Sequence, residues 1–405
     1  MTAFAATAVA LLLRAVGLMI RSVFPNIEYP LSDCSFSPAS LYGKACLGYT
    51  IKGKEERRSM NPSPASIYDP VTYKNDFLFK EELPHIFHSS FSIKNFPFAQ
   101  RLDLFAVVEP GEKALFFDVG KEELCGTEAL DRLVETYHIP WSSVEIVLSH
   151  FHDDHDGCVQ HCINKGVTHV YHGPRLRFSQ ERKRVFLQRT GILKKGDKEL
   201  EPFVDFFLQR NRFTPEVEAV LREVPEGKVF SIAGYAFKVV YTPGHTPEHI
   251  SLYEPDENIL FAGDFVLDAA PGVMQFIPDS HMLEKYLHEL GKAHEANLSA
   301  LYMSHHKVLF NMKEANVLIS KQIDSYDYPL RKVLAQFIPG EWLDAYDVAL
   351  RYCSGRVGDF KEQDCNFRIR KIANMYAYLD FLVSRGLLKK RLSSDGRDIF
   401  SSIRV

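Results

Sequence analysis

The chain has 405 residues, 46% hydrophobic and 25% charged, which is enough apolar content to bury one large core or two moderate ones; the length favours two domains. A formal net charge of -4 provides no global basic field, so nucleic-acid binding would require a local patch. Seven cysteines (Cys34, Cys46, Cys125, Cys158, Cys162, Cys353 and Cys365) are an odd number scattered through a long chain, which argues for reduced thiols in a cytosol-like compartment and against a disulfide framework.

Residues 1–80 read as an N-terminal extension. Met1 to Leu13 is almost entirely small and apolar, Arg14 and Arg21 are the first charges, and no acid precedes Glu28. The run is interrupted too early to span a bilayer, which needs about 20 apolar residues. It reads as a targeting or membrane-associating segment, a locally packed helix or a misassigned start, and the expected location is cytoplasmic unless the first of these holds. From about 25 to 80, abundant Ser, Pro, Asn and Lys with little periodicity predict a loop-rich lead-in.

Two apolar runs, Leu102 to Val108 and Ala114 to Phe117, flank Pro110-Gly111-Glu112-Lys113 and predict a hairpin. Asp118-Val119-Gly120 leads to a helix from about Thr127 to Tyr137 with Leu130, Leu133 and Val134 on one face, and a strand follows over Val144 to Leu148. This is α/β order. After a further strand at Thr168 to Tyr171, the segment from 174 to 224 mixes aromatic residues, among them Phe178, Phe186, Phe203, Phe206, Phe207 and Phe213, with Arg and Lys. It predicts a helical insertion that could cap the site. Strands at Ala236 to Tyr241 and Ile250 to Tyr253 bracket Thr242-Pro243-Gly244-His245-Thr246-Pro247-Glu248-His249, while Asn258 to Asp264 and Ala300 to His306 are strands ending in a carboxylate and in histidines. From about Ser320 to the end at 405 the pattern becomes helical, with Ile372, Met375, Leu379 and Leu382 in register. Gly386 looks like a cap, and the hairpin that follows suggests a winged-helix-like module.

The most informative segment is His150-Phe151-His152-Asp153-Asp154-His155, three imidazoles and two carboxylates in six residues directly after an apolar strand. Alternate residues His150 and His152 can point the same way while Asp154 and His155 turn toward a second position, a geometry that suits two metal ions in one pocket. Cys158 and Cys162 lie nearby, but on a helix expected to be buried, and read as packing residues.

The pattern H-x-H-x-D-H resembles the signature of the metallo-β-lactamase-fold hydrolases, and the resemblance spans roughly residues 100 to 310. It implies an α/β fold, an αββα sandwich over residues 81–319 with the insertion at 174–224, joined to a smaller helical, winged-helix-like module at 320–405. It also implies that His150, His152 and His245 hold one metal, Asp154, His155 and His305 the other, and that Asp264 bridges them. Imidazoles and carboxylates suit zinc, two ions per chain, with iron or manganese as alternatives. The reaction this implies is hydrolysis of an ester or thioester of a small molecule by a hydroxide shared between ions about 3.5–4 Å apart, with Asp154 as the catalytic carboxylate. Flavin-linked diiron relatives carry a carboxylate where His152 stands, which argues against oxygen reduction.

Departures bear on the substrate. The family's D-H-x-G-G is here Asp154-His155-Asp156-Gly157-Cys158, and Leu267 stands where quorum-quenching lactonases carry a tyrosine. The glutathione-binding motif of the glyoxalase II kind and the inserted domain of the mRNA-cleavage nucleases are both missing. The overall resemblance is to bacterial-type hydrolases with a C-terminal winged-helix-like domain, a group with thioesterase-like and ribonuclease-like members. The alternatives are an RNA or DNA phosphodiesterase on the same dizinc site, with Lys389-Lys390-Arg391 as the basic run, and a mononuclear iron persulfide dioxygenase using only His150, His245 and Asp264. Near-neutral charge favours a small-molecule substrate over nucleic acid, and a homo-oligomer is compatible with the sequence. His249, His306, His85 and His88 are read as packing, supporting or surface residues and stay outside the metal set.

Overall fold

The computed structural model describes residues 78–92, 101–124, 126–175, 179–204, 213–354 and 360–403. The apolar start and most of the loop-rich lead-in lie outside the described residues, as do Phe178, Phe206 and Phe207.

Seven strands form the first sheet in sequence order: β1 (Lys80–Leu83), β2 (Ile86–Ser92), β3 (Arg101–Glu109), β4 (Lys113–Phe117), β5 (Val144–Leu148), β6 (His169–His172) and β7 (Leu221–Glu223). The first four are antiparallel, and β4 to β7 run parallel. Helix α1 (Gly126–Thr136) crosses from β4 to β5. The second sheet has the order β12-β11-β10-β9-β8, from β8 (Val229–Ile232), β9 (Tyr235–Tyr241), β10 (Ile250–Glu254), β11 (Ile259–Gly263) and β12 (Ala300–Met303).

Strand alternation sorts side chains into layers. In β3 and β4, Phe105, Val107, Leu115 and Phe117 face the second sheet, while Ala106, Val108, Ala114 and Phe116 face α1. In β11, Ile259 and Phe261 face the first sheet, while Leu260 and Ala262 join a third cluster with helix α7. The result is helix, sheet, sheet, helix. Phe261 anchors the middle layer, its ring centroid 4.9 Å from those of Phe237 and Tyr302, 5.7 Å from Phe105 and 5.8 Å from Phe117. Each such fully buried side chain contributes about 1.5–3 kcal/mol relative to exposure.

The helices, numbered on from α1, are α2 (Asp153–Asp156), α3 (Val159–Lys165), α4 (Gln180–Arg189), α5 (Ile192–Lys195), α6 (Pro215–Val220), α7 (Met282–Glu295), α8 (Met312–Asp324), α9 (Asp327–Leu334), α10 (Ala345–Cys353) and α11 (Cys365–Ser384). Strands β13 (Leu388–Leu392) and β14 (Asp398–Ser402) pair as the predicted C-terminal hairpin. Helix α8 runs through position 320, where the periodicity changes.

The segment from 174 to 224 is partly helical, but its aromatics do not all face the site. Phe186 and Leu187 of α4 and Ile192 of α5 are buried in one core with Tyr346, Tyr376 and Phe400 of the C-terminal region, and Phe186 lies 5.0 Å from Phe276. Phe186 is thus a core residue and lines no cap. Polar contacts reinforce the docking: Arg189 pairs with Asp398 at 2.8 Å, the Tyr346 N–H donates to the Thr190 carbonyl at 3.0 Å, and Lys195 meets Asp347 at 2.5 Å. Among the described residues, no helix is long and apolar enough to cross a membrane.

Candidate metal centre

Five of the seven candidate side chains follow a strand, and the other two, Asp154 and His155, lie on α2. His150 and His152 follow β5, His245 lies between β9 and β10, Asp264 follows β11 and His305 follows β12. Phe151 points back into the core, 5.2 Å from His172 and 5.3 Å from Phe213, which fixes the loop between the first two histidines. The chain then enters α2, with the N–H groups of His155 and Asp156 returning to the His152 carbonyl. That turn carries Asp154 and His155 away from the extended pair before them.

Two groups result. Ligand atoms of His150, His152, His245 and Asp264 lie within 4.8 Å of one another, and those of Asp154, His155 and His305 do likewise. Asp264 touches both. Its Oδ2 is 3.3 Å from His245 Nε2, while its Oδ1 is 3.3 Å from His305 Nε2 and 3.5 Å from His155 Nε2. Asp154 Oδ2 lies 3.3 Å from His305 Nε2, and His152 Nδ1 is 3.1 Å from His245 Nε2.

Hydrogen bonds behind the imidazoles decide which nitrogen faces the centre. The Ser149 hydroxyl donates to Asp118 Oδ2 at 2.8 Å, so its oxygen accepts from Nδ1 of His150 at 2.9 Å. His155 Nδ1 donates to the same Asp118 oxygen at 2.8 Å, and His305 Nδ1 donates to the Arg101 carbonyl at 2.7 Å. In all three rings Nε2 is left to face inward, the arrangement that orients metal-binding histidines.

The donor set fits cations. His150 Nε2, His155 Nε2 and Asp264 Oδ1 are buried without a hydrogen-bond partner, a costly state that a positive ion would relieve. Electrostatics agree. Burial, joined by the neighbouring imidazoles, holds His150 well below the usual histidine range, and burial pushes His245 down to about 4, so both offer lone pairs. Burial works against protonating His155 and His305 as well. Even so, Asp154, Asp264 and Asp118 raise His155 well above its ordinary value, and Asp264 with Asp154 raises His305 to about 10. Without an ion, protons gather where the second cation would lie.

The excluded histidines have partners of their own. His306 Nε2 faces Asp268 at 3.2 Å. His249 is buried: the Asp264 N–H donates to its Nε2 at 3.1 Å, so its Nδ1 carries the proton and donates to Thr242 Oγ1 at 2.8 Å. His88 is not a surface residue; it is part-buried, with Nε2 2.6 Å from the buried carboxylate of Asp103. Gly157 is required because a Cβ there would fall 2.4 Å from the Asp153 carbonyl oxygen. Cys158, in place of the second glycine, is buried against Gly126, and Cys162 is buried in the same core, so both thiols pack.

The sequence reading gave no role to Asp118, which accepts from the Ser149 N–H, the Ser149 hydroxyl and His155. It stands at the exit of β4 with a φ of 61°. The regularity that marks the other residues, a polar side chain at a strand's end, would have singled it out.

Comparison with known proteins agrees with the fold. Residues 128–305 match the family model of the metallo-beta-lactamase superfamily, and the protein carries a domain of that superfamily. A metallo-beta-lactamase family protein from Thermus thermophilus superposes with a TM-score of 0.54 at 18% identity, covering 79% of this chain and 99% of that one, which is a likeness of fold. An atrochrysone carboxyl ACP thioesterase of Aspergillus fumigatus is 24% identical over 229 residues, 56% of this chain and 57% of the relative. A hydroxyacylglutathione hydrolase of Legionella pneumophila is 26% identical over 159 residues, 36% of this chain and 60% of the relative. The chain thus spans less than two thirds of the length of either curated relative.

Proposed function

We propose that the protein is a metal-dependent hydrolase that cleaves an ester or thioester of a small molecule at a dinuclear centre, with zinc the expected metal. His150, His152 and His245 would hold one ion and Asp154, His155 and His305 the other, with Asp264 shared. The observation that carries this reading is the division of Asp264, one carboxylate oxygen 3.3 Å from His245 Nε2 and the other 3.3 Å from His305 Nε2. Bound ions of this kind act as Lewis acids and supply a water acidic enough to serve as nucleophile near neutral pH.

The residues around it have separate tasks. Asp118 fixes the ring of His155 directly and that of His150 through Ser149. Asp154, whose side chain keeps 23% of its exposure, is the carboxylate open to an incoming substrate. There it orients the attacking water, holds its proton at a carboxylate oxygen and returns it to the leaving group. His155 and His305 keep Asp154 ionised: against the effect of burial, they hold its carboxyl well below the usual range.

The names of the two curated relatives support a thioester substrate, and the balanced charge supports a small molecule. The basic run of the last hairpin is largely consumed within the protein. Lys390 pairs with Asp279 at 2.5 Å and Asp398 at 3.2 Å, and the Arg391 guanidinium lies 4.1 Å from the Trp342 ring centroid. This favours the esterase reading over a phosphodiesterase that grips RNA. In this reading residues 81–319 are the catalytic domain and 320–405 a supporting module.

Metal analysis of protein purified without chelator, followed by a screen of acyl thioesters against single-stranded RNA, tests the proposal. About two ions per chain and chelator-sensitive thioester hydrolysis are expected. One tightly bound iron with no second site would overturn the dinuclear reading, and cleavage of RNA alone would overturn the substrate class.

A further inference from the structure

The loop that follows Asp264 has no regular secondary structure, yet its backbone is held by side chains from two successive helices and from the residue that precedes a third. Tyr286 of α7, fully buried, donates its hydroxyl to the Phe265 carbonyl at 2.7 Å. Gln322 of α8 donates from Nε2 to the same carbonyl at 2.9 Å and to the Tyr286 hydroxyl, while its Oε1 accepts from the Leu267 N–H at 2.7 Å. Tyr326, just before α9, donates to the Pro271 carbonyl at 2.6 Å.

Tyr286 also touches a second loop. A Cβ built on Gly244, the residue before His245, would fall 2.1 Å from Cδ2 of the Tyr286 ring. One face of this tyrosine therefore meets the backbone that delivers His245, while its hydroxyl holds the backbone immediately after Asp264. Its ring also packs edge-on against Phe265, with centroids 5.7 Å apart, and against Tyr326 at 6.0 Å. Tyr326 in turn meets Tyr378 of α11, so the contact continues into the C-terminal helices.

We infer that Tyr286 is a positioning residue that sets the spacing of His245 and Asp264, and through Asp264 the geometry of both metal positions. The inference rests on the metal-centre reading above. A rigid aromatic ring wedged between two loops fixes their separation, and a buried hydroxyl on a carbonyl fixes the direction in which the next residues leave. Only glycine admits the ring at position 244, so the pair Gly244 and Tyr286 acts as one unit.

The test compares Tyr286→Phe with Tyr326→Phe, which removes an equivalent buried hydroxyl from the same loop farther from Asp264. Each is titrated with Co2+ against a chromophoric chelator, the ligand-field spectrum is recorded, and melting temperature is measured alongside. Tyr286→Phe should weaken cobalt binding by about 10-fold, the lower end of what outer-shell changes cause, and alter the spectrum; Tyr326→Phe should lower melting temperature and leave both cobalt readouts unchanged. Should Tyr286→Phe not yield folded protein, Gly244→Ala tests the same contact from the other side, with the same loss of affinity expected. Equal affinity and spectrum in Tyr286→Phe and wild type, or equal losses in the two tyrosine variants, would overturn the positioning role. Wild-type protein that binds no cobalt would overturn the metal-centre reading itself.

Discussion

Asp118 Oδ2 accepts a 2.8 Å hydrogen bond from Nδ1 of His155, across 37 residues of sequence. Because the same oxygen accepts from Ser149, one carboxylate orients a histidine in each metal group. Asp118→Asn should therefore leave the fold intact while weakening metal binding roughly 10–100-fold, with the second position affected first. Chelator competition on the purified variant checks this; unchanged affinity at both positions would remove Asp118 from the site.

Replacing the shared carboxylate should be more damaging than replacing any excluded histidine. Asp264→Ala is expected to abolish turnover and lower metal content, whereas His306→Ala, which loses contacts to Asp268 and the Lys307 carbonyl, should retain most of both. Metal content and rate measured across Asp264→Ala, His305→Ala and His306→Ala decide the matter. A benign His305→Ala beside a damaging His306→Ala would reverse the ligand assignment.

Two neighbouring aspartates offer a matched comparison. Asp153 is largely exposed and pairs with Lys121 at 2.7 Å, while Asp154 is directed at His305. Asp154→Asn keeps shape and loses charge, so turnover should fall roughly 10²–10⁴-fold with the fold preserved. Asp153→Asn should behave as wild type. Comparable losses in the two would place the acid–base group elsewhere.

Stability without metal should depend on pH through His249. Burial pushes this histidine down to about 3, and protonating Nε2 would break its bond from the Asp264 N–H. The unfolded chain takes up the proton near pH 6.5, so the stabilisation is present above about 6.5 and is lost progressively as pH falls toward 3. Denaturant midpoints of wild type and His249→Gln in chelator should therefore draw together between pH 7 and pH 4. A constant gap would contradict the assignment of a neutral His249.

The C-terminal hairpin should matter for folding out of proportion to its size. Asp398 is buried between Arg189 of the insertion, Lys390 of β13 and the Tyr376 hydroxyl. Asp398→Ala leaves Arg189 and Lys390 only the more exposed Asp279 as a close partner and the Tyr376 hydroxyl without its acceptor, and should cost about 1–3 kcal/mol, the usual consequence of leaving buried donors unsatisfied. Urea unfolding measures it, and a loss under about 1 kcal/mol would show the network to be solvent-screened.

The local elements were legible in the sequence because they depend on local periodicity. Apolar runs bounded by turn residues marked β3 to β6 and β9 to β12, whereas β7 fell inside the expected helical insertion and β8 carried no such mark; three- and four-residue spacing marked α1 and α11, and the density of His150, His152, Asp154 and His155 pointed to metal chemistry. Strand exits likewise pointed to His245, Asp264 and His305. What the sequence could not convey is which side chains meet once the strands align. Asp118 shares the strand-exit position of the other site residues, but its role depends on partners 31 and 37 residues away. The burial of Phe186 depended on helices far later in the chain, and the separate contacts of the two Asp264 oxygens depended on how three loops converge. Periodicity reports the direction of a side chain relative to its own backbone; only the packing of distant segments against one another fixes what stands opposite it.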